Sequence, residues 1–233
     1  MKDLDFLKKG IIAHRGIFDN RKVPENSIKA FKNALNKGYA IELDIRLTKD
    51  NKIVVFHDDV LGRMTKKKGN IKNLTFEELQ KIKLINTDYT IPSLDEVLSL
   101  VNGKVPLLIE LKSSSRSHRL EKELIKKLDE YKGEFAVQSF NPFIISYFRF
   151  HKKEYIRGLL VSYKKYKSFG TSLSIKLSKP DFLSVSKRMY KNKKIIKYRK
   201  KIPVFAWTID SKDDVKKYQD CFDNLICNIN DIA

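Results

Sequence analysis

Eight short runs rich in apolar and β-branched residues begin near residues 10, 39, 105, 134, 156, 181, 203 and 224, and helical periodicity fills most of the gaps between them. That alternation constrains the fold more than any other feature. The run Val105-Pro106-Leu107-Leu108-Ile109 is apolar at consecutive positions, which suits a strand covered on both faces, as in a parallel sheet. Parallel neighbours need crossover connections, which are right-handed and usually helical. Eight such strands predict an α/β fold, a closed (β/α)8 TIM barrel, with an open doubly wound sheet as the alternative. The 233 residues are enough for a single barrel domain over 1–233, with a small insertion at about 59–92 where the alternation weakens.

Helix starts are signalled locally. Asn26 reads as the N-cap of a helix that carries Ile28, Phe31, Ala34 and Leu35 and stops at Gly38. Thr75 and Glu78 form a capping-box pattern, and Ser93 and Ser211 stand at two further starts. The stretch from Tyr163 to Lys179 shows no clear period.

The second run carries the densest chemistry. Ala40 to Leu47 alternates apolar and polar residues, and Ile53-Val54-Val55-Phe56 follows after a polar turn centred on Asp50-Asn51. With those two residues as the loop, paired positions sum to 101 and Asp44 faces His57. Glu42 and Asp44 are two apart and point to one face. Two like charges among apolar neighbours are unfavourable unless something neutralises them. A hard divalent cation with oxygen ligands is one solution; pairing with Lys or Arg is the other. Glu110 and Lys112 stand in the same two-apart relation at the end of the third core strand. His14, Arg15, Glu42, Asp44, Glu110, Lys112, Gln138 and Trp207 all fall at the carboxyl ends of strands, where such barrels keep their active sites. His118 and His151 lie in polar, helical surroundings and are not expected to act. No glycine-rich phosphate loop is present, so nucleotide binding has no support.

The formal net charge of +20 favours anionic partners. Nine Lys or Arg residues fall between Lys187 and Lys201, interleaved with Tyr190 and Tyr198. This reads as a solvated basic helix or as a patch for peripheral contact with an anionic membrane; no nucleic-acid partner is expected. No apolar run reaches the length of a membrane span, and the first residues do not resemble a signal peptide, so a cytoplasmic location is expected. Cys221 and Cys227 fit reduced thiols better than a disulfide or a zinc site.

Several short motifs occur in order: His14-Arg15-Gly16, Pro24-Glu25-Asn26-Ser27, Glu42-Leu43-Asp44, His57-Asp58, Ile91-Pro92-Ser93-Leu94, Glu110-Leu111-Lys112, Gln138-Ser139-Phe140 and Trp207-Thr208. Together they resemble the glycerophosphodiester phosphodiesterase family of barrel enzymes across nearly the whole chain. The resemblance implies metal-dependent hydrolysis of a small-molecule glycerophosphodiester to sn-glycerol 3-phosphate and an alcohol. By position it makes Glu42, Asp44 and Glu110 ligands of a divalent metal ion (Ca²⁺ or Mg²⁺). It makes His14 and His57 the acid and base, and Arg15 and Lys112 the phosphate holders. Trp207 and Phe140 are candidates for an apolar wall against glycerol carbons, barrel packing being the alternative. Two other readings stay open: lysophospholipase D-type hydrolysis at an anionic membrane surface, and a basic nucleic-acid- or lipid-binding protein. One departure is visible. The family's last strand usually ends in a Thr-Asp/Asn-x-Pro pattern, whereas Cys227-Asn228-Ile229-Asn230 lacks the threonine and the proline.

Overall fold

The structure is a computed structural model that describes residues 2–113, 117–163 and 170–228. Its strands are β1 (Ile12–His14), β2 (Ala40–Leu47), β3 (Ile53–Val55), β4 (Leu107–Leu111), β5 (Phe135–Ser139), β6 (Ile156–Val161), β7 (Phe182–Ser186), β8 (Val204–Ile209) and β9 (Asn224–Cys227). All except β3 run parallel in the order β1-β9-β8-β7-β6-β5-β4-β2, and β1 pairs with β2 to close the ring. The expected eight-stranded TIM barrel is therefore what forms.

The helices are α1 (Asp5–Lys8), α2 (Ile28–Asn36), α3 (Phe76–Gln80), α4 (Leu94–Val101), α5 (Arg119–Leu128), α6 (Pro142–His151), α7 (Gly170–Ser178), α8 (Lys193–Arg199) and α9 (Lys212–Tyr218). Capping boxes at Thr75/Glu78 and Ser93/Glu96 open α3 and α4, because side chain and backbone satisfy each other's orphan donors there. The stretch whose period was unreadable holds α7; its residues 164–169 lie outside the described residues.

Alternation along each strand separates two cores. Outward residues such as Leu43, Ile45, Ile109, Val137 and Val185 pack against the surrounding helices. Inward residues Ile12, Ala40, Leu108, Ala136, Phe182, Phe205 and Ile226 fill the amino-terminal half of the barrel, and Leu4 and Leu7 around α1 pack with them. One strand step further along, the inward positions turn polar: His14, Glu42, Glu110, Gln138, Ser184 and Asn228. An apolar floor thus carries a polar mouth, and burial has to be balanced there by pairing.

Gly158 marks how tightly the floor is filled. A Cβ at this position would lie 2.2 Å from the ring of Phe182, which is wholly buried. The ring lies in a close-packed interior, so it would have to shift against its neighbours. Gly158→Ala is therefore expected to destabilise the protein by at least about 1–3 kcal/mol, the usual range for overpacking a core. An unchanged urea midpoint in the purified variant would contradict this.

The hairpin register differs from the sequence expectation. Ile45 pairs with Val55, Arg46 with Val54 and Leu47 with Ile53, so Asp44 faces Phe56 and not His57. The Thr48 N–H donates to the Lys52 carbonyl, leaving three loop residues, and Asn51 takes φ 60° in the left-handed region. Asn tolerates that conformation, and it closes a three-residue turn where a two-residue loop was expected. The carboxyl half of β2 uses β3 as its partner on the edge where its amino half uses β1. His57 consequently follows β3 directly at the barrel mouth. Beyond it, Val54, Phe56, Leu61, Met64, Ile71, Leu79, Leu84 and Ile91 form a separate small core within the segment between β3 and α4.

No helix among the described residues is long and apolar enough to cross a membrane. Both cysteines are free thiols. In the basic stretch, Lys187 pairs with Asp210 and Asp214, and Arg199 with Asp223, so part of that charge is structural.

Candidate active site

Glu42 and Asp44 come from β2 and Glu110 from β4, where Asp44 and Glu110 are register partners. Carboxylate oxygens of the three lie within 4.8 Å of one another. All three residues are buried, Asp44 completely. Lys112 Nζ sits 2.6 Å from Glu110 and 3.2 Å from Asp44. Apart from this ion pairing, Asp44 Oδ1 and Glu110 Oε1 are buried without a hydrogen-bond partner among the described residues. The pairing reading of the acids is thus partly realised, because Lys112 neutralises some of the charge.

The electrostatics follow from burial. Burial raises the Glu42 carboxyl well above the usual range, and the neighbouring Asp44 and Glu110 charges push the same way. Glu110 is pushed up to about 7, again first by burial, with Lys112 opposing. At Asp44 burial also works against ionisation, but Lys112 and Arg15 outweigh it and hold the carboxyl well below its ordinary value. The centre therefore holds one firmly ionised acid and two reluctant ones.

Arg15 stands just past β1 in the left-handed region, with φ 56°. Its backbone N–H donates to Glu42 Oε2 at 3.1 Å. Its Nη1 donates to Glu25 at 2.7 Å, and its Nε lies 3.2 Å from Asp44. Glu25 also accepts from Arg63, whose Nε donates to Asp58, and Asp58 lies 2.6 Å from His57 Nδ1. An unbroken ionic chain runs from His57 through Asp58, Arg63, Glu25 and Arg15 to Asp44.

Asn26 differs from expectation. Ser27 caps α2 by accepting from the Ala30 N–H, while Asn26, in the left-handed region, turns inward. Its Nδ2 donates to Asp44 Oδ2 at 2.9 Å. The short polar side chain that suits a cap equally suits a buried acid, and sequence alone cannot separate the two.

His14 Nδ1 lies 2.8 Å from Asn228 Oδ1, and Asn228 Nδ2 donates to Asp210. The second bond fixes which way the amide faces. An amide oxygen only accepts, so neutral His14 carries its proton on Nδ1. Burial, then the charge of Arg15, lowers His14 to about 4. Asn228 belongs to the strand end that departs from the family pattern, and it nevertheless supports the ring. Residues Ile229 and Asn230 of that pattern lie outside the described residues. Arg46 was also missed. Its guanidinium donates to the His57 carbonyl at 2.9 and 2.5 Å, donates to the Lys112 carbonyl at 3.4 Å, and pairs with Asp59. It clamps the His57 loop to the end of β4.

Phe140 and Trp207 meet edge to face with centroids 5.5 Å apart, and Trp207 Nε1 donates to the Ser184 carbonyl. His118 and His151 lie away from this cluster, His118 against Glu121 and both rings stacked on Tyr147.

The Glycerophosphoryl diester phosphodiesterase family model matches residues 14–221. The chain belongs to that family. Membership makes it a phosphoric diester hydrolase acting on glycerophosphodiesters. A glycerophosphodiester phosphodiesterase of Caldanaerobacter subterraneus is 32% identical over 224 residues, covering 91% of this chain and 90% of that one. A Thermotoga maritima glycerophosphodiester phosphodiesterase structure superposes with TM-score 0.77 at 25% identity, over 94% of this chain and 93% of the other. An Oleispira antarctica phosphodiesterase, solved in complex with the product sn-glycerol-3-phosphate, superposes with TM-score 0.83 at 23% identity, over 94% and 92%.

The donor set of this phosphodiesterase suits a hard cation. It offers carboxylate oxygens only, close enough to share one ion, with two of them unsatisfied.

Proposed function

We propose that the chain hydrolyses glycerophosphodiesters to sn-glycerol 3-phosphate and a free alcohol. Glu42, Asp44 and Glu110 hold Ca²⁺ or Mg²⁺, His14 and His57 move the protons, and Arg15, Lys112 and Trp207 receive the substrate. The buried carboxylate triad carries this reading, because so much negative charge with unsatisfied oxygens calls for a cation. The Oleispira antarctica structure with bound sn-glycerol-3-phosphate supports the choice of product.

In the net reaction the bond from phosphorus to the leaving alcohol oxygen breaks and a bond to the nucleophile's oxygen forms. One proton leaves the nucleophile and one joins the departing alkoxide. When bound, the cation supplies positive charge beside the phosphoryl oxygens. Lys112 adds a point charge there, and Arg15, held by Glu25 and Asp44, adds a fixed one. His14 keeps Nε2 unprotonated because Asn228 takes the proton side of the ring, so it accepts from the nucleophile. Burial lowers the His57 pKa, and the Asp58 carboxylate behind Nδ1 opposes that shift and orients the ring; with His14 as the acceptor, His57 is the group left to donate to the alkoxide. The Phe140–Trp207 pair faces the glycerol carbons.

A lysophospholipid substrate, met at an anionic membrane, is the second reading. Phe143 and Leu173, exposed by 63% and 67%, stand near the starts of α6 and α7 and favour it. The test pairs a coupled glycerol 3-phosphate assay over glycerophosphodiesters with an assay of the released head-group alcohol over lysophospholipids, whose other product keeps its acyl chain. Exhaustive chelation is expected to abolish turnover, and added Ca²⁺ or Mg²⁺ to restore it. Full turnover after chelation refutes the cation. Cleavage of lysophospholipids alone favours the second reading.

A further inference from the structure

We infer that a basic cleft beside the carboxylate triad receives the leaving alcohol and selects alcohols that carry an anionic group of their own. This rests on the hydrolase reading above, in which the scissile phosphate lies against Lys112. A cavity of about 600 Å³ opens between the end of β2, the segment after β3 and the start of α5. That is a usual size for a small-molecule site. Its charged lining consists of Arg46, Lys49, Lys72, Lys112 and Arg119, with Asp59 as the one acid among the described residues. Asp59 is already paired with Arg46. Among the described residues Lys49, Lys72 and Arg119 pair with no carboxylate; Arg119 contacts Ser117 and Asn51 instead.

The lysine-rich composition does not by itself explain this. A second cavity, at the hairpin turn, is lined by Asp50, Asp95 and Glu123 against Lys52 and Lys127, so charge sign varies sharply over a short distance. The basic cleft is also continuous with the site. Lys112 lines it while its Nζ touches Asp44 and Glu110, and Arg46 binds the Lys112 carbonyl.

A phosphodiester held at Lys112 has two arms. The glycerol arm finds an apolar surface at Phe140 and Trp207, and the other arm finds this positive field. Such a field attracts a phosphate or carboxylate and repels a quaternary ammonium. The expected order of kcat/KM is thus phosphate-bearing alcohol, then neutral polyol, then choline.

The test uses the full chain and a Lys49→Glu/Lys72→Glu variant, with both side chains exposed and unpaired among the described residues. The substrates are glycerophosphoglycerol, its derivative phosphorylated on the leaving glycerol, and glycerophosphocholine. The variant is expected to lose about tenfold of the preference for the phosphorylated substrate, the scale set by reversing two screened surface charges. Its kcat/KM for glycerophosphoglycerol, whose leaving glycerol is uncharged, should fall less than that for the phosphorylated substrate. Equal discrimination by both proteins overturns the inference. Calorimetry with inorganic pyrophosphate on chelated protein is a second measurement that needs no turnover. Weaker binding to the variant supports the cleft even if no diester is cleaved, in which case the hydrolase reading fails alone. Identical binding to both proteins overturns the cleft.

Discussion

His14→Ala and His57→Ala are each expected to lower kcat by about 10²–10⁴-fold, the usual contribution of a positioned proton-transfer group. The fold should survive both changes, because each ring is held by few contacts: His14 by Asn228 and His57 by Asp58. Circular dichroism and the urea midpoint check the fold, and the coupled assay checks the rate. Near-normal turnover in either variant would remove that histidine from proton transfer. Asn228→Ala separates ring chemistry from ring placement. It leaves the imidazole present but unheld, so a smaller loss in kcat than in His14→Ala is expected.

The second large effect concerns the acids, which should respond in opposite ways. Asp44 is ionised and faces Arg15 and Lys112 in the interior. Asp44→Asn leaves Arg15 with Glu25 alone and Lys112 with Glu110 alone, and breaking a buried pair from one side typically costs up to about 3–5 kcal/mol. Glu42→Gln should cost the chelated protein little. The Glu42 carboxyl is shifted upward by burial and by its acidic neighbours, so its favourable protonated state is fully available only below its unfolded value. That contribution is lost as pH rises through the folded value. The glutamine stands in for the protonated form and removes this penalty. Both variants should lose the rise in melting temperature that Ca²⁺ or Mg²⁺ gives the parent protein. If Glu42→Gln proved as damaging as Asp44→Asn in chelator, the charge assignment would be wrong.

Some of this was legible in the sequence and some was not, for physical reasons. Strands such as β4 were readable because a barrel strand is covered on both sides and must be apolar at consecutive positions. The acids at Glu42, Asp44 and Glu110 were readable because charges two apart within such strands have no local remedy. The pairing of β2 with β3 was misjudged by one residue, since loop length depends on whether Asn51 enters the left-handed region, which composition does not reveal. Asn26, Arg46, Glu25 and Asn228 escaped for another reason. Each acts across a long sequence separation, Asn228 on His14 over 214 positions. Each also has an ordinary local use, as a helix cap, a strand-face charge or a loop polar residue.

The sealed floor has a kinetic consequence. Leu4 and Leu7 pack with Phe182 and Phe205 across the amino-terminal half of the barrel. Reactant, water and both products therefore share one doorway at the opposite end. Departure of the second product has to await the first wherever the two overlap in that passage, so the doorway imposes an order on release and makes each product a competitor for re-entry.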